Sequence, residues 1–374
     1  MIKRAPADVG MTLTEIDTPA LLIDLEIFES NLNQMADNAK SLGVRLRPHA
    51  KMHKSADVAQ AQIARGAVGV CCQKVSEAEC LIDAGIHNIL ITNQVVGKRK
   101  LDLFVELSMR SELTICVDSA QNISDLNACA ASRNTKVGVL VEVDVGGERC
   151  GVPSGEPTLE LATQITQSLN LKFLGLQAYK GTAQNQREFG DRENASSVIS
   201  GYLKETIELL KEHGITCKNV TGAGTGTWQF EGASNIFTEL QPGSYAFMDA
   251  DYARNKNSDG KTASEFGHSL FVYTTVMSAV HSDYVVVDAG LKSLAFDAGM
   301  PLVADDWTVN YHTPSDEHGV LDLSNSTRRY ALGEKVRLIP GHCDPTVNLH
   351  DWYIGVRGDL VESVWTVTAR GAVF

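Results

Sequence analysis

The feature of this sequence that most constrains its fold is a regular alternation of short apolar segments with stretches of helical spacing. Eight apolar, β-branched segments follow one another along the first two thirds of the chain: VRLRPHA (44–50), GVCCQ (69–73), NILIT (88–92), LTICVD (113–118), VGVLVEVD (137–144), LKFLGLQAY (171–179), NVTGAG (219–224) and ELQPGSYAF (239–247). Strands that alternate with helices pair in parallel, and eight of them predict a closed (β/α)8 barrel. An open doubly wound sheet is the alternative.

The pattern of apolar residues changes after about residue 265. The segments HSLFVYTTVMSAV, DYVVVDAG, KVRLIP and LVESVWTV are separated by turns and lack a helical pattern. They predict a second, antiparallel β domain. The polar run near 250–264, DADYARNKNSDGKTAS, is typical of a linker or loop.

Charge and cysteine content exclude several classes of protein. A net charge of −13 and the absence of a basic tract argue against nucleic-acid binding. We find no segment apolar enough for a secretory leader or a bilayer span, so we expect a cytoplasmic protein without a membrane partner. The eight cysteines form no CxxC pair, which favours reduced thiols.

The stretch RPHAKMHKS (47–55) concentrates positive charge in this acidic chain. Side chains alternate along a strand, so Val44, Leu46 and Ala50 are predicted to face the helices, and the opposite face to point into the barrel. That inward face carries Arg45, Arg47, His49 and Lys51. The same alternation turns further polar or thiol side chains inward, near the strand ends where barrels place active sites: Cys71, Gln73, Glu142, Asp144, Gln177 and Tyr179. A hydrogen-bonded buried network is the alternative.

A lysine at such a strand end is a candidate nucleophile. We expect burial and the neighbouring Arg47, His49 and Arg149 to lower the pKa of Lys51. An amine of this kind suits a Schiff base with a carbonyl cofactor, of which pyridoxal phosphate (PLP) is the common one. Lys54 is the alternative, although we expect it to begin the next helix in solvent.

Two segments predict a site for the phosphate of such a cofactor. TGAGTGT (221–227) follows the seventh strand, and its glycines allow backbone N–H groups to approach an anion. GSYAF (243–247), on the eighth predicted strand, adds the hydroxyls of Ser244 and Tyr245. Loops after strands 7 and 8 of such barrels often bind phosphate, whereas a glycine-rich loop alone is often only a tight turn.

The segment IPGHCDPTVNLHDWYIG (339–355) holds a candidate metal site. If the chain is extended there, as Pro345 favours, His342 and Asp344 project to one side and Cys343 to the other. One imidazole and one carboxylate suit Zn²⁺, Mn²⁺ or Mg²⁺. A hydrogen-bonded turn is the alternative.

Six long motifs are distributed over nearly the whole chain: RPHAK, GVCCQKVSEAE, VEVDVGGERCGV, GLQAY, ELQPGSYAFMDADY and GHCDPTVNLHDWY. Together they resemble the metal-activated, PLP-dependent D-threonine aldolase and 3-hydroxy-D-aspartate aldolase family. The resemblance implies an alanine-racemase-like fold (fold type III), with a PLP barrel over 24–264, a β domain formed by 1–23 and 265–374, and a homodimer. It also implies cleavage of a β-hydroxy-D-amino acid to glycine and an aldehyde.

The same resemblance assigns roles to residues. It implies that Lys51 forms the Schiff base, that His342 and Asp344 hold the metal, and that a further set lines the cofactor: Gln73, Arg149, Tyr179, Gly222, Gly224, Thr225, Gly226, Ser244 and Tyr245. D-serine dehydratases of this group carry cysteine where Asp344 stands, and thiolate favours Zn²⁺. A carboxylate favours aldolase chemistry with Mn²⁺ or Mg²⁺.

The sequence departs from the family after the sixth strand. Where the aldolases have Tyr-x-Gly-x-x-Gln-His, with the histidine as base, this chain ends the run with Asn185. The base is then another group, with His53, Lys180 or a metal-bound hydroxide as candidates. Dehydration to a 2-oxo acid and ammonia, a PLP carrier without turnover and a metal-dependent hydrolase without PLP are the competing hypotheses.

Overall fold

The computed structural model describes residues 4–374. After a first strand and helix, β1 (Ala20–Asp24) and α1 (Leu25–Ser41), strands and helices alternate strictly: β2 (Arg45–Leu46), α2 (Ala56–Ile63), β3 (Val70–Cys72), α3 (Val75–Asp83), β4 (Asn88–Gln94), α4 (Lys98–Ser108), β5 (Glu112–Val117), α5 (Ala120–Ser132), β6 (Val137–Glu142), α6 (Glu156–Gln167), β7 (Leu171–Ala178), α7 (Phe189–Glu212), β8 (Asn219–Gly222), α8 (Trp228–Ala233) and β9 (Glu239–Leu240). Strands β2 to β9 are the eight predicted from the sequence.

These eight strands form a parallel sheet that closes on itself. Neighbouring strands pair in the order β2-β9-β8-β7-β6-β5-β4-β3, and a parallel bridge between His49 and Cys71 joins the extension of β2 to β3. The predicted barrel is therefore confirmed, and the open-sheet alternative is wrong. Leu46 and Ala50 lie in the outer core, whereas an apolar plug fills part of the lumen: Cys71, Leu90, Cys116 and Leu140.

The second domain is built on a nine-stranded sheet. Most of its strand pairs are antiparallel, as predicted. Its later elements are β10 (Leu270–Ser278), β11 (Tyr284–Val287), β12 (Leu302–Val303), β13 (Asn310–Pro314), β14 (Gly319–Asp322), β15 (Lys335–Ile339), α9 (Cys343–Val347), β16 (Trp352–Arg357) and β17 (Leu360–Thr366). The strand order is β11-β14-β13-β12-β15-β10-β1-β16-β17, and β11 also pairs with β10.

Strand β1 joins the two domains. It lies between β10 and β16, antiparallel to the first and parallel to the second. Its last residue, Asp24, accepts hydrogen bonds from the N–H groups of Glu26 and Ile27 and so begins α1. The boundaries at 23/24 and 264/265 stay predictions.

Two local predictions were wrong. The GSYAF segment is not strand, because β9 ends at Leu240 and residues 244–246 form a 3₁₀ turn. The segment at Asp344 is not extended but belongs to α9, whose first turn tolerates Pro345 because the N–H groups there have no helical partner.

All eight cysteines are free thiols, as predicted. Within residues 4–374, no helix is long and apolar enough to cross a membrane. The cytoplasmic location and the homodimer stay predictions.

Candidate active site

A cavity of 380 Å³ opens at the C-terminal ends of the barrel strands, between the barrel and the segments around Asp297 and α9. Most of the predicted site residues line it: Lys51, Gln73, Arg149, Tyr179, Asn185, Gly224, Thr225, Ser244, His342 and Asp344. These residues come from six barrel segments and from the β domain. Only the tertiary fold brings them together.

Lys51 lies on the turn that follows β2. Its Nζ atom is 3.5 Å from Oδ1 of Asp344, and its side chain is 41% exposed. The Asp344 carboxylate raises the pKa of Lys51, against the opposing effect of burial. The predicted lowering of this pKa was wrong because a carboxylate from the β domain, not another cation, is the nearest charge.

The other two cations of the stretch RPHAKMHKS, Arg47 and Lys54, lie outside the cavity. Arg47 points toward the N-terminal end of the barrel, where its Nε is 2.9 Å from Oε1 of Glu239. Lys54 is buried rather than solvated, contrary to the prediction. Its Nζ is 3.1 Å from Oε1 of Glu77 and donates to the carbonyl oxygen of Ala372 at 3.1 Å.

His49 and Gln73 form one wall of the cavity. Nε2 of His49 lies 3.0 Å from both the Gln73 amide nitrogen and the Thr92 hydroxyl. Burial, with the nearby Lys51 charge, lowers the pKa of His49 well below its usual value. The imidazole is therefore uncharged near neutral pH and adds no positive charge to the wall.

Tyr179 and Arg149 form the opposite wall. The guanidinium of Arg149 lies over the Tyr179 ring, 5.6 Å from its centroid, and 3.7 Å from the carboxylate of Glu142. Burial raises the pKa of Tyr179, so the phenol keeps its proton near neutral pH. Both side chains occupy positions predicted from the sequence.

Two loops present hydrogen-bond donors to the cavity from the side of β8 and β9. Thr225 and Ser244, which both carry hydroxyl groups, line the cavity. Among the residues that the structure describes, the N–H groups of Thr225 and Ser244 donate to no protein acceptor. Unpaired amides beside two hydroxyls fit an anionic group such as a phosphate.

His342 and Asp344 lie together at the mouth of the cavity. Nε2 of His342 is 3.6 Å from Oδ2 of Asp344, and two donors about 2.1 Å from one ion lie at most about 4.2 Å apart. Nδ1 of His342 is 2.7 Å from Oδ2 of Asp297. Burial opposes the charged imidazole, but the carboxylates of Asp344 and Asp297 raise the pKa of His342.

Cys343 lies on the other side of this segment, as predicted. It is fully buried, and its thiol points to the carbonyl oxygen of Met248. Over residues 4–374, no group of three or more His, Cys, Asp or Glu side chains is arranged to hold a metal ion.

Four predicted site residues do not line this cavity. His53 is fully buried, its Nδ1 accepts from the N–H of Ser55, and burial lowers its pKa to about 4. The chain turns after Ala50, so strand alternation no longer applies to His53.

The Tyr245 hydroxyl accepts a hydrogen bond from Gln62 in the core. Gly222 and Gly226 flank the lining residues Gly224 and Thr225 in sequence but do not line the cavity themselves.

Several residues of the cavity were missed. Asp249, Asp251 and Tyr252 line it, although the run at 250–264 has the composition of a linker. Asp297 also lines the cavity, and nothing in its sequence context indicates that it meets His342, which lies 45 residues further on. The ELQPGSYAFMDADY motif is the one sequence feature that extends to Tyr252.

The chain is similar over almost its whole length to proteins of known activity. Residues 23–251 match the N-terminal domain of the alanine racemase family, and residues 269–356 match a serine dehydratase domain. The 3-hydroxy-D-aspartate aldolase of Paracoccus denitrificans (strain Pd 1222) is 45% identical to this chain over 370 residues, which are 98% of this chain and 95% of that protein. The D-threo-3-hydroxyaspartate dehydratase of Delftia sp. (strain HT23) is 27% identical, over 95% of this chain and 98% of its own.

A solved structure gives the same result. The crystal structure of D-threonine aldolase from Filomicrobium marinum matches with a TM-score of 0.96 and 48% identity, covering 100% of both chains. The fold and the site thus define a PLP-dependent lyase with the alanine racemase fold, fold type III. Within that class, the chain belongs to the family that contains the 3-hydroxy-D-aspartate and D-threonine aldolases. The predicted family is confirmed, and PLP is the cofactor that membership implies.

Proposed function

We propose that this protein cleaves a β-hydroxy-D-amino acid, D-threonine or 3-hydroxy-D-aspartate, to glycine and an aldehyde, acetaldehyde or glyoxylate. PLP held by Lys51 and a divalent metal held by His342 and Asp344 are its proposed cofactors. The observation that carries the proposal is that the Lys51 amine and the His342–Asp344 pair meet in one cavity. The relatives named above supply the substrate class.

The residues of the cavity fit the proposed cofactor. The Lys51 amine is accessible for a Schiff base, and Tyr179, Arg149 and Gln73 surround the space beside it. The hydroxyls and free N–H groups of Thr225 and Ser244 would hold the phosphate. When bound, PLP supplies an electron sink for the pair of electrons released as a Cα–Cβ bond breaks.

The metal would be held by one imidazole nitrogen and one carboxylate oxygen. This donor set favours Mn²⁺ or Mg²⁺ over Zn²⁺, which is typical of sites with soft ligands such as thiolate. The neighbouring thiol, that of Cys343, is buried and points away. A divalent ion there would lower the pKa of a substrate hydroxyl. Asp297 holds the His342 ring so that Nε2 faces Asp344.

Removal of the proton from the β-hydroxyl must use a group other than residue 185. Asn185 lines the cavity, but its amide has no basic atom, so it contributes hydrogen bonds that orient the substrate. His53 lies outside the cavity and Lys180 does not line it. We infer that the base is one of the remaining groups that line the cavity.

The test is an assay of the purified protein with PLP, Mn²⁺ and each substrate in turn. We expect glycine with an aldehyde, loss of the reaction after a chelator, and recovery when Mn²⁺ is restored. Ammonia with a 2-oxo acid would instead assign dehydration, the reaction named for the Delftia relative. If no product forms although the protein shows the visible absorbance band of bound PLP, the protein is a PLP carrier without turnover.

A further inference from the structure

The structure gives the glycine-rich loop after β8 a neighbour that its sequence does not indicate. Gln184, in the segment after β7, lies against this loop and is 1% exposed. Its Oε1 atom accepts a hydrogen bond from the N–H of Gly226 at 3.0 Å. Its Nε2 atom donates to the hydroxyl of Thr227 at 2.9 Å. Both ends of the amide are therefore bonded to the loop.

Two glycines of the loop leave room for Gln184. A Cβ atom at Gly224 would overlap the amide of Gln184, and one at Gly226 would overlap its backbone. The glycines are therefore explained by a protein neighbour and not only by the approach of an anion. Thr225, which lines the cavity, stands between these two positions.

The contacts continue away from the cavity to a buried acid. The Thr227 hydroxyl, which accepts from Gln184, donates to Oε2 of Glu231 at 2.7 Å. Glu231 is 1% exposed, and among residues 4–374 burial and the hydrogen bond from Thr227 are what act on its carboxyl group. Burial raises its pKa to about 8, so it is uncharged near neutral pH and does not repel an anion in the loop.

The cavity side of the loop is fixed at a second point. The Thr225 hydroxyl accepts a hydrogen bond from the N–H of Tyr245 at 3.0 Å, which ties the loop to the segment that carries Ser244. The N–H of Thr225 has no partner among residues 4–374. Donors that are already fixed bind an anion without the cost of ordering the loop.

We propose that Gln184, Thr227 and Glu231 are positioning residues that hold the Thr225 donors in place for the phosphate group of the cofactor. This inference rests on the cofactor site of the proposed function. It assigns these side chains a contribution specific to the phosphate: Gln184 lines the cavity, but its amide is hydrogen-bonded to the loop that carries Thr225.

The experiment compares binding of PLP with binding of pyridoxal, which has the same ring and aldehyde but no phosphate. The apoenzyme is titrated with each ligand and followed by the visible absorbance of the bound cofactor. The variants are Gln184→Met and Thr227→Val, which keep approximate volume and lose the hydrogen bonds. Thr227→Ser keeps the hydroxyl and is the matched control.

We expect Gln184→Met and Thr227→Val to weaken PLP binding about tenfold, because each leaves buried partners unsatisfied, and to change pyridoxal binding less than about twofold. Thr227→Ser should bind both ligands like the wild type. Thermal unfolding of each apoenzyme shows whether a variant is folded. If Gln184→Met is not folded, the inference is tested with Thr227→Val alone.

Two results would overturn the inference. If the folded variants bind PLP like the wild type, the loop does not need these side chains. If PLP and pyridoxal are weakened equally, the role is structural and not specific to the phosphate. A wild-type protein that binds neither ligand would instead overturn the proposed function, together with everything inferred from it.

Discussion

The two ends of the barrel lumen contain similar side chains in different states. At the N-terminal end, which we call the lower lumen (Arg47, Asn88, Thr221 and Glu239), every charge is paired. Arg47 donates to Glu239 and Asn88, and Thr221 donates to the same oxygen of Glu239. At the C-terminal end, Lys51 is separated from Arg47 by three residues but faces an open cavity.

The difference shows how one short segment, residues 47–51, serves two purposes. The side chains of Arg47 and Glu239 are 13% and 5% exposed, whereas that of Lys51 is 41% exposed. A buried charge without its partner is costly, so the lower lumen stabilises the fold only as a complete set. An accessible amine beside a carboxylate is available for chemistry. Substitutions at the two ends should therefore separate activity from stability.

The largest effect is expected from Lys51→Ala. Without the amine no covalent bond to the cofactor forms, and the rate of cleavage should fall by about 10⁵-fold. Stability should change by less than about 1 kcal/mol, because the lost pair with Asp344 is partly exposed. Cleavage assays and thermal unfolding measure the two quantities. Lys100→Ala, an exposed position in α4, is the control, and an active Lys51→Ala enzyme would contradict the assignment.

Arg47→Met should have the opposite effects, a large loss of stability and little loss of activity. It removes the nearer of the two cations of the buried Glu239 and leaves only the half-exposed Arg45, 3.7 Å away, so it should lower the free energy of unfolding by about 3 kcal/mol, while the folded enzyme retains its activity. Denaturant unfolding and assays below the transition measure both. The matched control is Arg110→Met, which breaks an exposed pair with Asp83 and should cost less than about 1 kcal/mol. Equal losses in the two variants would remove the distinction between the ends of the lumen.

Asp297→Ala tests the orientation of a ligand in the cavity. Loss of the partner of His342 Nδ1 should weaken metal binding by about 10–100-fold, with little change in PLP binding. Metal titration of the apoprotein gives this value directly. Asp283→Ala, an exposed position in the β domain, should bind metal like the wild type. Unchanged metal affinity in Asp297→Ala would show that His342 is held by other contacts.

The last effect is expected from Glu231→Gln, and it depends on pH. Burial raises the pKa of Glu231 from 4.5 to about 8, so the folded protein keeps a proton that the unfolded chain releases. The wild type should therefore lose stability as pH rises from 4.5 to about 8, and the glutamine variant should lose less. Unfolding at several pH values measures the slope. An exposed control, Glu208→Gln, should follow the wild type.

Much of the candidate site was predictable because strand alternation is a local property. A period of two is enough to place His49, Gln73, Gln177 and Tyr179 on the inward face, and all four line the cavity. His53 and Tyr245, which were not placed by this argument, do not line the cavity. Both follow the point where a short strand ends and the chain turns, so a period of two no longer describes the direction of the side chain.

The sequence by itself determined the barrel, the second β domain, the family and the candidate nucleophile, because these follow from periodicity and from long motifs. Only the tertiary structure decided the charge around Lys51, the partner of His342 and the neighbour of the glycine-rich loop. The physical reason is that electrostatic and packing interactions depend on distance in space. Asp344, Asp297 and Gln184 come from segments far along the chain from the groups they contact.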